Sequence, residues 1–218
     1  MQTRLPMKPL AFAGIVGPIG FITLVVIQGV MQPDYSHIAM PISALAAWPA
    51  GWIQNINFFV FAMLMAAFAI GLNDAIRPSR FGFLGIALLL ANSLGLFMAG
   101  LFHWINVNGV PTETPQHVVA AVLTFSSVSI GLVVLSRRMK VDPRWHDLSA
   151  YVFGTGLVML ALFIAVGGFA IDEGTPLHRW AGLLQRVLVM VWFACLLVMA
   201  RRTLRVGRED SLPLPNRL

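Results

Sequence analysis

The residues of this chain that could do chemistry gather in three short stretches between apolar segments. Four of the five histidines and four of the nine acidic residues lie in or beside the loops 32–52, 103–116 and 172–180. Carboxylates and imidazoles can serve as general acids and bases, and a guanidinium binds carboxylate or phosphate groups. The candidates are Asp34, Asp172 and His117 as catalytic acid or base, and Arg186, Ser43, Asn55 and His178 as substrate-binding groups.

A metal site is a second use for the same loops. His103, His117 and His178 could supply three nitrogen ligands to zinc if the ends of their segments converge. Their spacing matches neither H-E-x-x-H nor a pair of histidines one helical turn apart, and histidines that only form interfacial hydrogen bonds are the alternative. A haem needs two histidines at similar depth on facing helices and is not favoured. We therefore predict no resident cofactor, with zinc as the alternative.

Six apolar segments separate these loops, and each is long enough to cross a bilayer. A hydrocarbon core of about 30 Å requires roughly 20 apolar residues in helical form. Continuous apolar runs of this length, without two-residue alternation, predict helices and not the strands of a membrane barrel. The fold class is therefore all-α, a six-helix transmembrane bundle, with spans at 10–31, 53–72, 81–102, 117–135, 150–171 and 181–200.

The distribution of cations predicts how the bundle is oriented. Thirteen of the fifteen Lys and Arg residues lie before the first span, in the second and fourth connections, or after the last span. Short basic loops remain cytoplasmic, so we expect both termini to be cytoplasmic and the histidine-bearing loops to face outward. Residues 1–205 form one transmembrane domain, and the polar, proline-containing tail 206–218 is predicted to be disordered.

Composition excludes a soluble protein of this length. Hydrophobic residues make up 58% of the chain, charged residues 11%, and the mean hydropathy is +0.79. The net charge of +6 is spread over membrane-flanking segments and forms no dense basic stripe. We therefore expect membrane lipids as partners and no nucleic acid. Cys195, the single cysteine, cannot form an intramolecular disulfide.

Two features of the outward loops matter for a site. Residues 41–48 predict a short helix lying on the membrane interface, anchored by Trp48 and Trp52. Arg186 lies within the last span, because a span beginning after it would be too short to cross before Arg201. A charge inside a membrane faces the bundle interior and has a partner, for which Asp172 is the first choice and Asp34 the second. A purely structural role for Arg186 is the alternative to binding an anionic headgroup.

Several local motifs resemble a known family. Ile42-Ser43-Ala44-Leu45 after the first span and the run from Gly182 through Trp192 are its sharpest pieces, within a resemblance that covers roughly residues 25–200. The chain resembles the bacterial and archaeal membrane family catalogued as domain of unknown function 998. The resemblance implies six helices and a membrane location, and it implies no particular activity.

Three functions remain open from the sequence. The protein could be an enzyme that acts on a lipid or other amphiphile by acid-base or metal-assisted chemistry, with Arg186 holding the headgroup. It could be a carrier or lipid-binding protein that does no chemistry. It could also be a structural or assembly subunit whose polar residues only join helices. We favour an outward-facing cavity that binds an amphiphile at the cell (inner) membrane, and the sequence predicts no particular oligomer.

Overall fold

The computed structural model describes residues 7–78, 82–170 and 174–209. Six α-helices account for most of this part of the chain. They are α1 (Met7–Met31), α2 (Gly51–Ala75), α3 (Gly82–Leu101), α4 (Pro115–Val141), α5 (His146–Ala165) and α6 (Ala181–Glu209). A five-residue π-helical turn, Val166–Ala170, follows α5 directly, and a short 3-10 turn, His178–Trp180, precedes α6.

All six helices are long and apolar enough to cross a membrane, which confirms the all-α six-helix fold of a multi-pass membrane protein. Several helices continue beyond the predicted spans, because a bilayer limits the apolar stretch and not the helix itself. The largest difference is at the end of α6, which runs to Glu209. The tail predicted at 206–218 therefore begins with helical residues, and residues 210–218 lie outside the described part.

The helices form a closed bundle in which each helix contacts its neighbours in the chain. Helix α6 returns to α1 and closes the ring, and α2 also contacts α6 across the centre. Large apolar side chains fill the space between them, among them Phe61, Phe68, Leu132 and Met159. The chain reversals gather at two ends. We call the end with His37, His103, His117 and His178 the histidine-rich end, and the other the arginine-rich end.

A short 3-10 helix, Ile42–Ala47, closes the histidine-rich end, and we call it the loop helix. All six of its residues are buried, with Ala44 fully inaccessible. The short helix predicted at 41–48 is therefore present, and protein surrounds its side chains. The segment Ile-Ser-Ala-Leu-Ala-Ala has small or apolar side chains in all directions, so it can be surrounded by protein on every side. Trp52, a predicted anchor, is exposed, whereas Trp48 packs edge-on against Tyr35.

A two-stranded hairpin in the next loop of this end was not predicted. Strands β1 (Ile105–Val107) and β2 (Val110–Thr112) pair antiparallel around Asn108 and Gly109. Both turn residues have positive φ, 51° and 88°, which is the conformation that an Asn-Gly turn favours in a tight hairpin. The hairpin contacts the loop helix, so both segments cover the same end of the bundle.

The arginine-rich end is held together by buried polar groups. Arg138 of α4 is only 5% exposed and donates to the side-chain and backbone oxygens of Asn73 and to the backbone oxygens of Ile76 and Arg77 at the end of α2. A cation at a helix C-terminus satisfies carbonyls that lack intrahelical donors. Asp142, fully buried after α4, pairs with Arg144 at 3.1 Å. These contacts join α4 to the end of α2 and order the turn that follows α4.

Candidate functional site

Arg186 contacts four groups that lie in the loop after α1 or at the start of α6. One terminal nitrogen donates to the backbone oxygens of Met40 at 3.0 Å and Gly182 at 2.9 Å. The other lies 2.5 Å from the Tyr35 hydroxyl and 3.2 Å from His37 Nδ1. Among the described residues no carboxylate pairs with this guanidinium, so neutral oxygen and nitrogen atoms surround the charge.

The surroundings of Tyr35 and His37 favour the neutral forms of both side chains, which accept hydrogen bonds from Arg186. Burial lowers the pKa of His37 and the Arg186 charge lowers it further, which favours the neutral ring whose Nδ1 can accept a hydrogen bond from the guanidinium. Burial raises the pKa of Tyr35, and Arg186 offsets part of that rise. The Tyr35 hydroxyl donates in turn to the backbone oxygen of Pro41 at 3.0 Å. Arg186 therefore orders the loop through a chain of hydrogen bonds.

Three further contacts attach this loop to the first turn of α6. The backbone N–H of Leu183, which has no intrahelical acceptor, donates to Ile38 at 2.9 Å. The Gln185 side-chain oxygen accepts from the N–H of Ile42 at 2.6 Å. Gly182 permits the close approach, because a Cβ there would lie 2.3 Å from the oxygen of Met40. The loop helix is thus fixed in place from its N-terminal side.

Next to the loop helix lies a pocket that we call the aromatic cavity, whose empty space, including the part open to the surroundings, is about 480 Å³. It reaches from the loop helix into the middle of the bundle, where rings from α1, α2, α4 and α6 form its walls. The ring-bearing residues are Phe21, Phe58, Phe61, Phe125, Trp192 and Phe193. Such a lining suits an alkyl chain, since it offers apolar surface and few groups that require hydrogen bonds.

A second pocket, the loop cavity, lies toward the end of the bundle, and its empty space, including the part open to the surroundings, is about 690 Å³. Its walls come from the loops and from the end of α5, including Phe163 and the π-helical turn. The polar groups around it are contributed by Ser43, Glu113, His117, His178 and Gln185, with the indole of Trp104 beside them. Ser43, His117, Ala121, Phe125 and Gln185 line both cavities, so the two adjoin along one wall.

The shared wall presents polar side chains to both cavities. His117 is 3% exposed, and its Nδ1 lies 2.8 Å from the backbone oxygen of Phe102. A carbonyl can only accept, so this nitrogen carries the proton, and Nε2 is the acceptor in a neutral ring. The Ser43 hydroxyl makes no hydrogen bond with another described residue. The Gln185 oxygen is occupied by Ile42, which leaves its NH₂ group available as a donor.

The comparison with family models assigns the chain. The model described as "Protein of unknown function (DUF998)" matches residues 15–202. The chain belongs to this family. The match covers α2 to α5 entirely, most of α1 and α6, and both cavities, and it confirms the resemblance seen in the local motifs. No curated protein and no solved structure matches the chain.

In this DUF998 protein, three of the predicted site residues meet at the cavities. Ser43 and His117 line both, and His178 lines the loop cavity. Arg186 is not among the lining residues of either cavity, although its neighbour Gln185 is. Asn55 is also not among them. Its backbone oxygen lies against α3 near Gly100, and its buried side-chain oxygen accepts no hydrogen bond from the described residues.

Of the two predicted carboxylates, Asp34 and Asp172, only Asp34 lies within the described residues. Asp34 is exposed and forms no ion pair with Arg186, so the expectation that it neutralises the guanidinium is not met. Asp172 lies outside the described residues. Among the described residues, the three histidines proposed for zinc do not form a group of three that could hold a metal ion. His103 Nδ1 instead lies 2.8 Å from the backbone oxygen of Trp104.

Two contributors to the site were missed from the sequence. Tyr35 meets Arg186 across 151 residues of chain, and Glu113 borders the loop cavity beside Trp104. The DUF998 chain has only two tyrosines, and one lies directly beside the predicted Asp34. Glu113 precedes the proline that starts α4. The position of Tyr35 beside Asp34 and that of Glu113 before α4 are both local features of the sequence. Neither indicates which distant group the side chain contacts.

Proposed function

We propose that this protein binds a membrane amphiphile at its histidine-rich end. The observation that carries the proposal is the pair of adjoining cavities. An alkyl chain fits among the rings of the aromatic cavity, while a polar headgroup fits beside Glu113, His178 and Gln185 in the loop cavity. The two cavities follow the polarity change from the membrane interior to its interface.

We further propose that the histidine-rich end faces away from the cytoplasm at the cell membrane and that both termini are cytoplasmic. The cation asymmetry supports this orientation, since Arg137, Lys140, Arg201 and Arg205 flank helices at the opposite end. The cavity would then receive its ligand from the outer leaflet.

Binding, and not catalysis, is the function that the geometry supports. Asp34 is exposed, and the Ser43 hydroxyl forms no hydrogen bond with His117, so these predicted residues do not form a nucleophile paired with a base. The anionic headgroup expected from Arg186 has no support either, because the guanidinium is engaged with the loop. The loop attachment supports a pre-formed cavity.

Photochemical labelling tests the proposal. The protein in lipid nanodiscs would be irradiated with an alkyl alcohol that carries a diazirine near the chain end, and labelled peptides would be identified by mass spectrometry. We expect label on peptides containing Phe125 or Trp192. Ala121, which lines both cavities, is the site for a blocking change: Ala121→Phe should abolish that label, because the ring fills the shared wall.

The matched control is the adjacent residue of the same helix. Val122 is 49% exposed and faces away from the cavities, so Val122→Phe should leave the label unchanged. Equal labelling of the wild type and Ala121→Phe would contradict the proposal, as would label restricted to peptides on the lipid-facing surface.

A further inference from the structure

The loop cavity has an acidic border. Glu113 is one of its lining residues, and no lysine or arginine lines it among the described residues. The other titratable side chains there are His117 and His178. An anionic headgroup in this cavity would approach Glu113 without a cation from the described residues to offset the repulsion.

Glu113 lies in an environment that leaves its charge without compensation. It is half-buried next to the Trp104 indole, and burial raises the pKa of Glu113 while the neighbouring indole N–H offsets part of the rise. The buried Trp104 nitrogen forms no hydrogen bond of ordinary geometry with the described residues. A partly buried carboxylate is costly unless a cation or several donors meet it. No described cation does so, which leaves that role to a ligand.

We propose that the loop cavity selects an amphiphile with an amine headgroup, which the Glu113 carboxylate and the Trp104 ring would hold. This rests on the proposed amphiphile binding and names the class of ligand. An ammonium group forms charge-assisted hydrogen bonds with a carboxylate, and the face of an indole attracts a cation. The Ser43 hydroxyl can accept a further hydrogen bond from the ammonium at the shared wall.

The test compares headgroups on one chain. Photoactivatable forms of dodecylamine, dodecanol and dodecanoic acid would be added to the protein in phosphatidylcholine nanodiscs at neutral pH. Label assigned to single cavity residues would be divided by label at Phe97 itself, a 46% exposed residue of α3 outside both cavity linings, which corrects for partitioning into the bilayer. We expect a roughly tenfold preference for the amine over the alcohol, the size of one charge-assisted hydrogen bond, and less label from the acid than from the alcohol.

Variants assign the preference to one carboxyl. Glu113→Gln is nearly isosteric and should equalise amine and alcohol, while Glu113→Asp keeps the charge and should keep a preference for the amine. Asp34→Asn is the matched control, because Asp34 is an exposed acid at the same end outside the cavity. It should behave as the wild type. The normalised ratio is measured on the folded fraction, so lower yield of one variant does not affect it.

The outcomes separate the two proposals. Equal labelling by the amine and the alcohol in the wild type, or an amine preference that survives Glu113→Gln, would overturn the headgroup assignment and leave amphiphile binding intact. An absence of cavity label with all three probes would overturn amphiphile binding itself.

Discussion

The side-chain oxygen of Gln185 lies 2.6 Å from the backbone nitrogen of Ile42 and accepts its hydrogen, joining residues 143 positions apart. Ile42 begins the loop helix, where backbone N–H groups have no acceptor within the helix. It is 3% exposed, so water cannot readily take the place of Gln185. This contact helps to fix the loop helix in the position where Ile42 and Ser43 line the aromatic cavity.

Replacing Gln185 with leucine should destabilise the protein measurably. The change leaves the buried Ile42 N–H without its acceptor, which costs about 1–3 kcal/mol of unfolding free energy. Thermal unfolding in detergent should therefore show a lower midpoint for Gln185→Leu. Val187→Leu, at a 43% exposed position of the same helix, is the control and should unfold with the wild type. Identical midpoints for Gln185→Leu and the wild type would show that the loop helix does not depend on this contact.

Arg186→Leu should release the loop from α6. The variant loses four donated hydrogen bonds, and the expected loss of stability is about 2–3 kcal/mol, since only part of the gross hydrogen-bond energy appears as net stability. Hydrogen exchange at the amides of Met40 and Ile42 should accelerate. Arg186→Lys should be intermediate or worse, because one ammonium cannot match the geometry of a planar guanidinium. Unchanged exchange in Arg186→Leu would refute the structural role.

Cysteine accessibility tests the orientation of the bundle. The native Cys195 is fully buried and contributes little background. Single cysteines at Val110 and Leu177 should react with an impermeant thiol reagent in intact cells, whereas one at Val141 should react only after lysis. All three positions are exposed, and Val110 is preferable to its neighbour Gly109, whose φ of 88° disfavours a side chain. Labelling of Val141→Cys in intact cells would overturn the orientation.

Asp142 should make stability depend on pH in the acid range. Burial opposes ionisation, but hydrogen bonds from the Arg144 side chain and from the backbone of Arg77 and Arg144 outweigh it and lower the pKa of Asp142 below its usual 3.8. Because the pKa of Asp142 is lowered on folding, its carboxylate stabilises the folded protein fully at pH values above the usual pKa. That stabilisation is lost as the pH falls through the lowered pKa. Asp142→Asn should cost about 3 kcal/mol at neutral pH.

The measurement for Asp142 is the unfolding midpoint as a function of pH. The difference in stability between the wild type and Asp142→Asn should be constant near neutrality and should shrink as the carboxyl protonates. Asp34→Asn, at an exposed acid, is the control and should track the wild type. A difference that grows on acidification would have the wrong sign for this network.

The number of helices and their approximate ends follow from the sequence alone. Each helix satisfies its backbone hydrogen bonds within itself, so apolar length is a local property that predicts a span. The same reasoning placed Arg186 within the last span and Ser43 and His117 near one end. The helix ends were less predictable, because buried groups such as Arg138 extend α4 beyond its apolar run by satisfying carbonyls of α2.

Tertiary structure alone decided what those residues contact. The sequence pointed to a carboxylate for Arg186, whereas Tyr35 and His37 meet it across 151 and 149 residues of chain. The loop helix was predicted from the sequence but its burial among the other helices was not, because a run of small and apolar side chains suits both a membrane interface and a protein interior. Glu113 and Trp104 border one cavity for the same reason: the meeting of side chains across loops depends on how all six helices pack, and no local pattern encodes it.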